Sequence, residues 1–109
     1  MKKFVAELIG TFMLVFVGTG AVVFGNGFDG LGHLGIAFAF GLVIGLSLMA
    51  MILVGLKITG LSVNPARSLA PAVLVGGAAL QQVWIFILAP IAGGVLAALV
   101  AKNFLGTEE

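Results

Sequence analysis

Residues 57–77 read KITGLSVNPARSLAPAVLVGG, and the fold turns on them. Lys57 to Val63 is a short polar loop. Asn64 is a good helix N-cap, and Pro65 suits the first helical position, where a backbone N–H would go unused. The pattern predicts a helix from Pro65 to Val75, stopped by Gly76-Gly77. Such a helix is about 15 Å long, half of a hydrocarbon core of about 30 Å. It is too apolar for a surface loop and too short to span. A re-entrant half-helix is the expectation, with an interfacial helix as the plainer alternative. A broken element at membrane depth survives only where protein or a water-filled cavity surrounds it.

The flanking sequence supplies that protein. Three apolar runs, 4–24, 34–56 and 83–101, are long enough to cross a bilayer. Residues 25–32, GNGFDGLG, predict a turn-rich connection between the first two. Gly41 and Gly45 share one helix face, where small residues let helices approach closely in lipid. Gln81, Gln82 and Trp84 mark the entry to the third run, and Pro90 inside it predicts a kink. Met1-Lys2-Lys3 before an apolar run also has the form of a secretory signal. Its length and the lack of a small-residue cleavage site weigh against that reading.

Composition narrows the class. Of 109 residues, 61% are hydrophobic and 8% charged, against about 25% charged in soluble domains. The expected class is an all-α integral membrane protein, residues 1–109 forming a single unit. A net charge of +1 leaves no basic patch for nucleic acid. With no Cys, one His and no paired acids, neither a metal site nor hydrolytic chemistry has material. No enzyme activity and no cofactor are expected. The chain is too short to enclose a wide pore alone, so a transport function implies an oligomer. Membrane lipid is the expected surrounding.

At the start of the half-helix the unpaired N–H groups form a positive dipole end. Asn64 would sit there with its amide free to bond a passing oxygen. Arg67, one turn on, is either a snorkelling anchor or a pore-lining cation.

These residues carry a resemblance. Ser62-Val63-Asn64-Pro65-Ala66-Arg67-Ser68 looks like the second NPA loop of the aquaporins. Lys3 to Val17, with Ala6, Glu7, Gly10, Thr11 and Phe12, resembles the family's first helix. Ala79 to Gly94 resembles its sixth. Leu31 to Gly41 resembles the second helix, and the sequence from about Val43 resembles the fifth. The chain thus looks like an aquaporin with its middle removed: three transmembrane helices and one NPA half-helix instead of six and two.

The resemblance implies a site. Asn64, Pro65 and Ala66 would form the pore's NPA corner. Arg67, Ile52 and Leu61 match filter positions, with Phe40 or Ile44 as the fourth, since two ways of counting disagree. Glu7 would brace the NPA loop through backbone hydrogen bonds, and Gly41 and Gly45 would support the packing. Ile52 stands where water-selective members carry His, which favours small neutral solutes such as glycerol. Ser68 stands where glycerol-conducting members carry Asp, which favours water. Family pores need two half-helices meeting end to end, so two copies would pair in antiparallel fashion and the pores associate further. The expected location is a bacterial or archaeal cell membrane. Two rivals remain: a non-conducting remnant or regulator that pairs with a full-length aquaporin, and a small dual-topology exporter using Glu7.

Overall fold

A computed structural model describes residues 1–25 and 27–104. Asn26 of the expected connection and 105–109 of the polar tail lie outside the described residues. Five α-helices follow in order: α1 (Lys2–Phe24), α2 (Gly27–Phe38), α3 (Gly45–Thr59), α4 (Pro65–Val75) and α5 (Gly77–Phe104), with a π-helical segment, Ala39–Ile44, joining α2 to α3. Three stretches are long and apolar enough to cross a membrane: Lys2–Val23, Asp29–Thr59 and Gly77–Phe104. The chain is an all-α integral membrane protein.

Helix directions follow from a few contacts. Lys3 bonds Gln82, and a Cβ on Gly93 would strike the Leu8 carbonyl and the Phe12 amide. α1 and α5 therefore run the same way, backbone close to backbone at Gly93. Thr11 is buried at this crossing, its hydroxyl without a hydrogen-bond partner. α3 runs the opposite way along α1. The Ile44 side chain lies on Gly18, and the Leu61 side chain fills the space between Gly10 and Gly55. α4 packs on α5, and among the described residues α3 and α4 make no contact with each other. α4 leaves the loop beside Gly10 and returns toward the Lys3 end. α3 therefore arrives and α5 departs at the same end of the molecule.

The glycines expected to hold helices together are not those that do so. A Cβ at Gly41 or Gly45 would meet nothing within 4 Å. Contact falls instead to Gly10, Gly18, Gly55 and Gly93, which α1 uses on two sides. In this chain alone, Gly41 and Gly45 support no packing.

Three connections differ from expectation. The loop expected from Lys57 starts only at Gly60, because α3 runs on to Thr59 and ends at Gly60, whose φ of 80° suits a glycine cap. The turn-rich stretch 25–32 is largely helical, since α2 begins at Gly27. It breaks at Gly32, where φ 63° and ψ 178° are open to glycine and strained for any other residue. The third span starts at Gly77 instead of 83, because Gly76 (φ 67°, ψ −154°) reverses the chain at once and Ala78, Ala79 and Leu80 favour helix. Pro90 is buried inside α5, which continues through it. α4 matches its expected bounds of 65 and 75.

The π-helical segment lies where the resemblance passes from one family helix to another. A π turn holds an extra residue, which shifts side-chain facing along an otherwise continuous helix. Ile36, Phe40 and Ile44 line one cleft against Leu14, Gly18 and Val22 of α1. Further on, Gly55 faces α1 through Leu61. From Ile36 to Gly55 is one residue more than five α-helical turns of about 3.6 residues, the excess a π turn absorbs. Phe40 and Ile44, four residues apart, both line that cleft, so the structure keeps the two candidates for the second-helix position side by side.

Candidate functional site: the braced loop and the start of α4

Glu7 is the most deeply buried large side chain, at 0% exposure. It sits on α1 facing the loop between α3 and α4. Oε1 accepts from the Thr59 hydroxyl at 2.8 Å and the Ser62 amide at 2.9 Å, and Oε2 accepts from the Val63 amide at 2.8 Å. Thr59 Oγ1 in turn accepts from the Leu61 amide at 3.0 Å. Loop amides that no helix can satisfy are thus paired with one carboxylate, and unpaired buried amides are costly.

The brace holds an unfavourable backbone. Leu61 and Val63 have φ 39° and 47°, a left-handed conformation that costs a bulky residue about 1–3 kcal/mol. Both side chains are buried, and both press on Gly10. A larger residue at position 10 would collide with Val63 Cγ1, at 2.9 Å from a built Cβ. Gly10 and Glu7 therefore act together, one making room for the loop and the other binding it.

Asn64 then caps α4. Its Oδ1 accepts from the amides of Ala66 at 3.0 Å and Arg67 at 3.2 Å, and Pro65 occupies the first helical position. With the oxygen committed inward, the Asn64 NH2 group is turned outward on an exposed residue. Ser62 Oγ donates to the Asn64 carbonyl at 2.9 Å. Arg67 Nη1 reaches the carbonyls of Leu61 at 3.4 Å and Ser62 at 3.5 Å, long contacts that leave the guanidinium exposed. Arg67 lines a cleft of about 430 Å³ between α4, α5 and the loop, with Ser62, Ser68, Gln82 and Phe86.

The structure brings Glu7, Asn64, Pro65, Ala66 and Arg67 to one place. Leu61 joins them by its backbone alone, its side chain lying in the core at 3% exposure. Ile52 is half-buried on α3 and does not line the Arg67 cleft. Phe40 is exposed on the π-helical segment, in the cleft against α1. Ile52, Phe40 and Arg67 form no single constriction within one chain. Sequence reasoning missed Thr59, Ser62, Lys3 and Gln82. A polar side chain every few residues around an apolar motif was the available signal.

A membrane protein of three spans, with an Asn-Pro capped half-length helix locked by a buried carboxylate, is the class defined so far. The chain belongs to the major intrinsic protein family, whose model matches residues 37–101. It is 49% identical over 69 residues to glycerol uptake facilitator protein-like 6 of Lactiplantibacillus plantarum, covering 63% of this chain and 32% of that protein. It is 42% identical over 99 residues to Aquaporin Z of Rhodopseudomonas palustris, covering 91% of this chain and 38% of that one. Against Aquaporin Z of Bradyrhizobium diazoefficiens the identity is 40% over 102 residues, with 94% and 39% covered. The chain thus spans 32–39% of the length of these relatives. No solved structure matches it.

Proposed function

We propose that this chain is one half-repeat of a passive channel for water, open also to small uncharged solutes such as glycerol, with its pore completed by a second, antiparallel copy. In this reading α4 is a re-entrant half-helix. It enters and leaves by the Lys3 face and points its capped start toward mid-membrane. No bond is made or broken; the work is to replace the hydration of a neutral permeant and refuse a charged one.

The observation that carries the reading is the state of Asn64. Its oxygen is consumed by the cap, so its NH2 is offered outward beside the positive end of α4. A permeant oxygen meets donors there and a cation meets repulsion, which Arg67 adds to one turn away. In the proposed channel the second copy would close the side on which α3 and α4 make no contact. An antiparallel copy would bring its own Asn64 to the same depth and its Phe40 or Ile44 opposite Arg67 and Ile52. The relatives' names divide between Aquaporin Z and a glycerol uptake facilitator. Ile52 and Ser68 divide this chain in the same way, and Ser68 favours water. Completed pores would associate further in the membrane.

Exporter chemistry at Glu7 fits less well. Its two oxygens already accept three hydrogen bonds from the loop and no water reaches it, so proton traffic would undo the brace. A remnant pairing with a full-length aquaporin would insert in one orientation. The test is a terminal tag probed from both sides of the membrane. The pore of paired copies requires comparable labelling from each side. One-sided labelling in a sample that still carries water would rule it out.

A further inference from the structure

Lys3 Nζ donates to Gln82 Oε1 at 2.6 Å, joining the first turn of α1 to the start of α5. An ammonium group has three donors and no acceptor, so an amide can face it only through its oxygen. The Gln82 NH2 is thereby turned away from Lys3. Gln82 also lines the cleft that holds Arg67. Two hydroxyls of that cleft have their protons committed elsewhere: Thr59 donates to Glu7 and Ser62 to the Asn64 carbonyl. Thr59 Oγ1 also accepts from the Leu61 amide, so neither hydroxyl has a proton left to donate to the cleft. Among the described residues lining it, Arg67 and Gln82 are the side chains with N–H donors, and no carboxylate is present.

We propose that Gln82 is a specificity-determining residue at the mouth, and that Lys3 is the positioning residue that fixes its amide in the donating orientation. The permeant's oxygen then meets the Gln82 NH2 and the Arg67 guanidinium as a pair of donors, and leaves toward Asn64. The orientation of the amide matters more than its presence. Rotated about its last bond, the same side chain would show an oxygen to the cleft and attract the cations that Arg67 repels. Lys3 also adds a positive charge behind the amide without entering the cleft. This inference rests on the channel reading.

The experiment has two arms, both on the full chain reconstituted in lipid. In the first, the side-chain amide resonances of ¹⁵N-labelled Gln82 are compared in wild type, Lys3→Met and Lys3→Arg. Lys3→Met should shift them and broaden them by rotation, while Lys3→Arg, which keeps charge and donors, restores the wild-type position. Unchanged resonances in Lys3→Met would overturn the positioning role, whether or not the protein carries water. In the second, sodium leak and water permeability are measured on the same vesicles for Gln82→Glu. A carboxylate at that position should raise sodium leak relative to water permeability about tenfold, the scale of one unit charge acting across about 12 Å near a protein surface. Acidic residues contribute little to insertion topology, so orientation is preserved. A wild-type ratio in Gln82→Glu, in protein that conducts water, would overturn the specificity role alone. Wild-type vesicles without water flux, but with the resonance shift intact, would overturn the channel reading and with it the role in permeation.

Discussion

The loop before α4 and the long second span make an instructive contrast. Around Glu7 almost every polar group is paired, the side chains of Leu61 and Val63 are buried, and a strained backbone is held in place. Along Asp29–Thr59, 6% of the most apolar window is covered, against 28% for the first span and 22% for the third. Phe40, Leu46, Leu53 and Val54 are all exposed there. One chain therefore fixes the corner that presents Asn64 and Arg67, and leaves the second span largely uncovered. In the proposed channel the pore lining would be shared between two copies, and the rigid half would be the one each chain builds alone.

The contrast can be broken first at its strong side. Glu7→Ala removes the acceptor of the Ser62 and Val63 amides, and each buried amide left unpaired costs about 1–3 kcal/mol. Thermal unfolding in detergent should show the largest loss of any single substitution here, with Glu7→Gln intermediate because one oxygen is replaced by a donor facing a donor. A stability near wild type in Glu7→Ala would mean the loop holds itself.

Gly93→Leu should come next. Its Cβ would strike backbone atoms of α1, which cannot swing aside, so the α1–α5 crossing must open. A loss of about 1–3 kcal/mol is expected for such overpacking, read by the same unfolding measurement.

The open side responds in transport instead of stability. Arg67→Val should leave folding nearly unchanged, since the guanidinium makes two long contacts. In the paired pore both mouths carry Arg67, so sodium and proton leak should rise alike under gradients of either sign. A leak that depends strongly on gradient direction would contradict two equivalent mouths. Ile52→His should narrow the mouth and cut glycerol flux more than water flux, if the second copy brings the rest of the filter to Ile52. Equal loss of both would remove Ile52 from the lining.

The smallest effect belongs to Gly41→Ala and Gly45→Ala. With open space around both, each should change the stability of the separated chain by no more than a gain of about 0.5–1 kcal/mol from helix propensity. A larger effect in the membrane than in dilute detergent would place these glycines against a neighbouring helix and sharpen the contrast.

The sequence made parts of this legible because their physics is local. Asn64 and Pro65 start a helix and Gly76 ends it by backbone preferences that need no distant partner, and α4 has those bounds. The acid at position 7 could be matched to the loop through the family resemblance, but its partners in space, Thr59 and Ser62, could not be counted along the chain. The left-handed backbone at Leu61 and Val63 opposes what those residues prefer, so local rules point away from it. Gly41 and Gly45 have the spacing of packing glycines, while Gly10, Gly18, Gly55 and Gly93 are used because of what lies opposite. The π-helical segment escaped for a similar reason. One extra residue in a run of apolar side chains leaves no mark in composition or spacing until the faces it must align are known.

The central claim is that this chain alone builds a water pore. Vesicles containing the purified protein and no other should shrink in a stopped-flow osmotic step faster than protein-free vesicles of the same lipid, with a rate that rises as the square of protein density where pairing is incomplete and linearly once pairing is saturated. Shrinkage indistinguishable from protein-free vesicles at every protein density, with the chain shown to be folded and inserted, would contradict the account.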